Sequence, residues 1–455
     1  MSVSEPVAGA SSLLDDPELQ NHGAFSRGFL SLLIRLGVGP AAIPTPREWT
    51  TGWLICFAVL LNHYDQSIYG LALPRIQESL GIAEGDVGIL SAMMSVSIIP
   101  AFLLAFLADS VGRKRLLIFT LAMTAILTGL TALAPDVKSF YTLQILVRVF
   151  ANAEDMLAAV VIVEAMRPEV RGWSIGAMAA LGAAGTGLAA AVYSMVDLTA
   201  YDWRALYVVG TVPMFLALWL RRNLQETDHY LNYQAGRQES KASLFEETVR
   251  PLKQLIKDYP ERVMAVAAAM IPFVFGCGPA LFLMPKLLQD VHNYSSGEVS
   301  LLFLTGGTFA VMGNLLAGRV ADRIGRKKVL LVAGLTAMMG GFVGYGFAAG
   351  ALLVIVWMVT LFAFFAAATS FMALTGEIFP TSFRSTASAM CGIIGAIGAG
   401  GGLAAESGLY ALTGSHETAI MILLCAVPVG MLALMTLLPE TAGRELDDIA
   451  PEKHH

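Results

Sequence analysis

Gly318-Arg319-Val320-Ala321-Asp322-Arg323-Ile324-Gly325-Arg326-Lys327-Lys328 is a charged, glycine-bearing turn set between two long apolar runs. A second copy, Ala105-Phe106-Leu107-Ala108-Asp109-Ser110-Val111-Gly112-Arg113-Lys114-Arg115, lies 213 positions earlier (322 − 109). Glu164 and Arg171 return as Glu377 and Arg384 at the same offset (377 − 164 and 384 − 171). Leu224-Gln225-Glu226-Thr227 returns as Leu438-Pro439-Glu440-Thr441, one position off at 214 (438 − 224). Three separate matches at one period mean that about half the chain has been duplicated.

The flanks of the turn decide the class. Hydrophobic residues make up 56% of the chain and charged ones 14%, and the mean hydropathy is +0.66. No soluble enzyme has that balance. Apolar runs long enough to cross ~30 Å of hydrocarbon as helices fall at 50–73, 87–108, 116–134, 140–163, 173–196, 204–222, 262–288, 298–317, 329–349, 352–374, 385–411 and 418–438. The expectation is an all-α integral membrane protein of twelve transmembrane helices in two six-helix halves, 50–222 and 262–438. An N-terminal segment (1–49), a polar central loop (223–261) and a tail (439–455) complete it, and Ser26 to Val38 suits a short helix on the membrane surface. Cys56, Cys277, Cys391 and Cys425 all lie inside apolar runs, with no disulfide or metal spacing. No Gly-x-x-x-x-Gly-Lys-Ser/Thr loop is present, so nothing points to a nucleotide-driven pump.

Basic residues set the orientation. Of the 29 Lys and Arg, Arg75, Lys138, Arg204 and Lys286 fall on one side and Arg148 within a span. All the others fall with the termini, which the bias places in the cytoplasm.

The two halves, the basic central loop and the charged turns after spans two and eight resemble the major facilitator superfamily over nearly all of 50–449. The loop signature Gly-x-x-x-Asp-Arg-x-Gly-Arg-Lys/Arg is complete in 318–328; in the first copy Ala105 and Ser110 replace Gly and Arg. Glu164…Arg171, Glu377…Arg384 and Pro439-Glu440-Thr441-x-Gly443-Arg444 further resemble the sugar-porter and metabolite–proton symporter branches. The resemblance implies alternating access by rocking of the halves. Asp109, Gly112, Arg113, Glu164 and Arg171, with Asp322, Gly325, Arg326, Glu377 and Arg384, would then form a cytoplasmic gate. Its glycines allow tight turns, and its arginines suit bidentate pairing with the carboxylates.

A charge in the bilayer core costs at least ~2.5–3.5 kcal/mol, so each one needs a reason. The intramembrane acids are Asp65, Glu154, Asp155 and Glu406; the bases are Arg148 and, when protonated, His63. Asp65 and Arg148 sit at matching depths, and Asn62, Asp65, Gln66 and Tyr69 share one helical face, as do Arg148, Asn152 and Asp155. In the resembled fold spans one and four face one cavity, which predicts an Asp65–Arg148 ion pair. A carboxylate that alternates between an arginine and a proton suits proton coupling, with Asp155, Glu154 and His63 as further stations. Glu406 suits an outer gate. The 213 offset carries Arg148, Asn152 and Asp155 onto Leu361, Phe365 and Ala368, so the intramembrane charge belongs almost wholly to the first half. The second half offers aromatics, among them Phe273 and Phe365 for the cavity, and a seventh span that Pro272, Gly276, Gly278, Pro279 and Pro285 should break.

The paired glutamines that sugar porters carry on helix seven are missing from 264–288. Span five has the glycines of the drug antiporter signature in Gly182-Ala183-Ala184-Gly185-Thr186-Gly187 but not its proline. Asn62-His63-Tyr64-Asp65 with Gly70 and Pro74 is similar to the Asp-Gly-Tyr/Phe-Asp motif of aromatic-acid–proton symporters. The expected function is secondary active, proton-coupled uptake of a small aromatic or apolar carboxylate. Organic cation or drug antiport is the alternative, and a non-transporting sensor of the same fold a remote one. The expected partners are that solute, protons and the bilayer, with no nucleic acid, cofactor or metal. The expected setting is a monomer in a plasma membrane, as in the bacterial inner membrane.

Overall fold

The computed structural model describes residues 13–35, 39–40, 42–107, 111–221, 244–380 and 383–442. Asp109 and most of the central loop lie outside these residues, as do the side chains of Asp322 and Arg384. Twelve spans appear: α1 (Pro46–Leu71), α2 (Val87–Ser95 and Ile98–Phe106), α3 (Arg113–Thr131), α4 (Val137–Ala165), α5 (Pro168–Tyr193) and α6 (Trp203–Arg221), then α7 (Pro260–Phe282), α8 (Ser296–Ile324), α9 (Arg326–Gly346), α10 (Gly350–Ile378), α11 (Arg384–Thr413) and α12 (His416–Leu424 and Val427–Leu437). Among the described residues, nine helices are long and apolar enough to cross a membrane on those grounds alone. The apolar part of α6 is shorter, while α1 and α4 carry the polar side chains of the central site.

Local chemistry sets the helix ends. Thr45 with Glu48, Asp136 with Ser139 and Ser295 with Glu298 form reciprocal capping boxes at the starts of α1, α4 and α8. α2 and α12 are each interrupted by one turn, at Val96–Ser97 and Cys425–Ala426. In each case a proline, Pro100 or Pro428, lacks the N–H that would reach back four residues across the gap. α7 differs from expectation. It runs unbroken through Pro272 and Pro279 and ends only at Phe282, just before Pro285. Its glycines serve contact instead: a Cβ on Gly276 would stand 2.9 Å from the Leu423 carbonyl oxygen of α12.

The duplication is visible in packing. α1 packs on α5 and α7 on α11, while α2 meets α11 and α5 meets α8 across the seam between the halves. A Cβ on Gly185 would fall 2.0 Å from the Leu60 carbonyl oxygen, and one on Gly398, 213 positions on (398 − 185), 3.1 Å from that of Ile271. The same close approach therefore recurs in each half. A helix at Ala24–Arg35 buries Leu30 and Ile34 against Trp49. Arg167 ties this segment down by donating to Glu48, to Glu18 and to the Ile43 carbonyl.

Candidate functional site

A cavity of about 500 Å³ lies between the halves. α1 supplies His63, Gln66 and Tyr69, α4 supplies Arg148 and Asn152, and α7 and α8 supply Phe282 and Phe303. The Tyr69 hydroxyl is held by Ser91 at 2.7 Å and Tyr141 at 2.8 Å. Its ring faces Phe282, with centroids 5.6 Å apart. These contacts give the cavity one rigid aromatic wall.

Arg148 is the guanidinium of that wall. It stands 5.9 Å from the Tyr69 centroid, and one terminal nitrogen donates to the Gln66 carbonyl at 3.4 Å. Its buried Nε has no hydrogen-bond partner. Asp65 is buried, 1% exposed, and accepts from the Thr128 hydroxyl of α3 at 3.0 Å. No Asp65–Arg148 contact closes to ion-pair distance, contrary to the expectation. Asp65 turns toward α3, whereas Arg148 lies over Tyr69 on the cavity side.

Asp155 gathers the remaining polar groups. It accepts from Asn62 at 3.3 Å and Gln66 at 3.5 Å, and His63 Nε2 stands 3.8 Å away. Asn152 donates to Ser97 at 3.2 Å. Asn62 is buried and serves Asp155 without lining the cavity. Glu154 is fully buried, on a different face of α4. Asn62 is therefore not the cavity residue expected of it, and Phe273 and Phe365 are corrected likewise. Phe273 is buried among Phe364 and Phe371 in the core of the second half, and Phe365 packs edge-on to Phe364. In a membrane span, apolar character alone does not separate a cavity wall from a helix contact.

At the basic end, the duplicated turns carry the same backbone, with φ of 106° at Gly112 and 107° at Gly325. That conformation favours glycine. Arg113 pairs with Glu164 at 2.6 Å and Arg326 with Glu377 at 2.5 Å. Each pair lies within one half, so it ties the turn to α4 or α10 rather than joining the halves. Arg171 donates to the Met166 carbonyl at 3.4 Å. Glu440 accepts from the backbone N–H of Arg326 at 2.8 Å and of Lys327 at 3.2 Å, capping α9. Burial pushes its carboxyl up, but the N–H groups of Ala442, Arg326, Lys327 and Thr441 outweigh that and hold it below the usual carboxylate range.

Among the described residues, the opposite end carries hydrogen bonds that join the halves, and sequence reasoning missed most of them. Lys286 of the second half reaches Gln77 at 2.6 Å and Glu84 at 3.0 Å in the first. His416 meets Glu84 at 3.0 Å, Tyr193 donates to Gln289 at 2.5 Å, and Ser296 donates to Asp197. Glu406, expected at an outer gate, is here, fully buried and joined to His416 at 2.5 Å. One sequence signal was available: Lys286 is among the few basic residues on this side. Among the described residues, no cluster of three His, Cys, Asp or Glu could hold a metal.

Known proteins agree with this architecture. The family model described as Major Facilitator Superfamily matches residues 55–402 and 266–453. A Haemophilus influenzae protein named for metabolite transport is 26% identical, with 85% of this chain and 95% of that protein covered. A Bacillus subtilis protein named for niacin/nicotinamide transport is 27% identical over 76% and 84%. One from Cupriavidus pinatubonensis named for 4-methylmuconolactone transport is 22% identical over 90% and 95%. The inward-open xylose transporter XylE from E. coli superimposes with a TM-score of 0.70 at 17% identity, covering 88% of this chain and 99% of its own. The duplicated halves, the paired basic turns and these matches have one reading: the chain is a transporter of the Major Facilitator Superfamily, not an enzyme.

Proposed function

We propose that this transporter takes up a small aromatic or apolar carboxylate together with a proton. The observation that carries the reading is Arg148. It is a guanidinium in the central cavity, beside the Tyr69–Phe282 wall, with hydrogen-bonding capacity that Asp65 does not occupy. A planar fork of donors next to an aromatic face fits a carboxylate on a flat, apolar body. Relatives named for niacin/nicotinamide and 4-methylmuconolactone transport are consistent with that class.

Asp65 supplies the coupling. It is buried behind the cavity with one hydroxyl donor, and a proton there removes the cost of an isolated buried charge. Substrate on Arg148 and a proton on Asp65 then let the loaded site cross as a nearly neutral unit. The asymmetry of basic residues makes the end bearing the duplicated turns cytoplasmic. The halves, 50–222 and 262–438, rock about the cavity within a bacterial inner membrane. Bonds between the halves at the outer end support a state closed to the outside, and the monomer suffices because both halves belong to one chain.

Asp155, which is partly exposed beside His63, favours a second reading in which an organic cation binds. Thermal-shift titration with benzoate and with trimethylphenylammonium separates the two. Benzoate stabilises the wild type, and Arg148→Lys weakens that effect by about tenfold or more. Stabilisation by the ammonium alone would replace the carboxylate reading with the cation one.

A further inference from the structure

At the end opposite the basic turns, His416 stands between a carboxylate from each half. Its Nδ1 lies 2.5 Å from Glu406 of α11, and its Nε2 lies 3.0 Å from Glu84, in the turn before α2. Glu406 is fully buried, and its second oxygen has no hydrogen-bond partner. That oxygen faces Gly88 of α2, where a Cβ would come within 2.5 Å. The Tyr410 ring stacks on the imidazole at 4.3 Å. Lys286 binds Glu84 at 3.0 Å and Asp290 at 2.6 Å, and Tyr345 and Glu417 line the same recess. The titratable and charged groups around His416 are therefore Glu84, Glu406, Lys286, Asp290, Tyr410, Tyr345 and Glu417.

A neutral imidazole has one N–H and can donate to one carboxylate; its other nitrogen would then turn a lone pair toward the second. Both contacts are made only if the trio holds one more proton than a neutral histidine and two carboxylates bring. The charges agree. Without that proton, Lys286 alone faces Glu84, Asp290 and Glu406. When the halves part here, Glu84 leaves both His416 and Lys286. Glu406 stays with His416 in the second half and needs only the single N–H of a neutral imidazole, so the second ring nitrogen loses the carboxylate that retained its proton.

We propose that Glu84, His416 and Glu406 form a second proton site, distinct from Asp65, which takes up one proton as the outer end closes and gives it up as that end opens. The inference rests on the alternating-access reading above. A proton bound by the closed form favours closure at low pH, and that preference is lost as pH rises. External acidity therefore closes the outer gate, and the gate opens more readily as the outside becomes alkaline.

The test is a distance measurement between spin labels in the full chain in lipid nanodiscs, with exposed Cys425 replaced by serine. One pair, Leu198→Cys and Leu412→Cys, crosses the outer seam at positions 82% and 84% exposed. A second pair, Glu169→Cys and Lys328→Cys, crosses the basic end. Between about pH 5.5 and about pH 8.5, across and above the point where a free imidazole titrates, the closed-to-open ratio at the outer pair should rise as pH falls. At its steepest it should change by about tenfold per pH unit. His416→Gln should abolish that slope. Glu406→Gln should abolish it too while staying closed, because an amide can meet a neutral imidazole. A flat wild type, or a variant that titrates like the wild type, overturns the proposal. If benzoate moves both pairs while pH moves neither, the latch alone fails; if nothing moves either pair, the alternating-access reading fails with it.

Discussion

The two ends of the molecule are fastened by different rules. At the basic end the described ion pairs of the turns lie inside each half and obey the duplication: Arg113–Glu164 and Arg326–Glu377 are both related by 213 (326 − 113 and 377 − 164). At the opposite end, beside pairs such as Arg75–Asp202 that stay within one half, a set of bonds runs between the halves and has no repeat mates. The same offset takes Lys286 to Leu73, Glu84 to Gly297 and His416 to Trp203. The turn pairs were copied with their half and, lying within it, survive rocking. Bonds between halves formed once, and they must break for the cavity to face the other way.

Breaking the copied pairs should have the largest effect on stability, and the same one in both halves. Arg113→Ala and Arg326→Ala each strand a largely buried glutamate, at a cost of about 3 kcal/mol, read by equilibrium unfolding in mixed micelles. A large cost in one half only would break the symmetry claimed for them. Lys286→Ala should leave unfolding nearly alone and act on conformation. Losing its bonds to Gln77 and Glu84 removes about 2 kcal/mol from the closed outer end. That is roughly a thirtyfold shift toward opening, visible as faster labelling of a cysteine placed at Ser95 in the cavity wall.

Smaller effects sharpen the basic end. Gly325→Ala puts a side chain at φ 107° and a Cβ 2.7 Å from a Glu440 oxygen, costing about 1–2 kcal/mol of stability. Glu440→Gln should cost about 0.3–1 kcal/mol at neutral pH, by weakening an anion on a helix N-terminus. Since the folded protein holds that carboxyl below its usual range, its contribution is present above that range and is lost as pH falls through the lowered value. The Gln variant should therefore approach the wild type in acid, which unfolding at low pH would check.

The fold was almost wholly legible, because a repeat offset and hydropathy are summed over many residues and no single side chain decides them. The central site was legible in part. Helical spacing put Asn62 and Gln66 on one stripe of α1 and Asp155 on another of α4, and those stripes meet. It failed for Asp65 and Arg148, because spacing does not say which neighbour a side chain takes: one goes to Thr128 and the other to Tyr69. Phe273 was misplaced for a related reason: an aromatic in a span suits lipid, core or cavity equally. The proposed latch was hidden by distance, since Glu84 and His416 are 332 positions apart, one in a short turn and the other at the first residue of α12, where no periodic pattern marks them.

The central claim is that a proton on Asp65 drives uptake, and proton flux in proteoliposomes tests it directly. Adding benzoate outside should draw protons in with the wild type. Asp65→Asn, which keeps the polar shape and lacks the titrating group, should show no substrate-driven proton entry and no accumulation against a gradient. Accumulation by Asp65→Asn equal to the wild type, with proton entry unchanged, would contradict it.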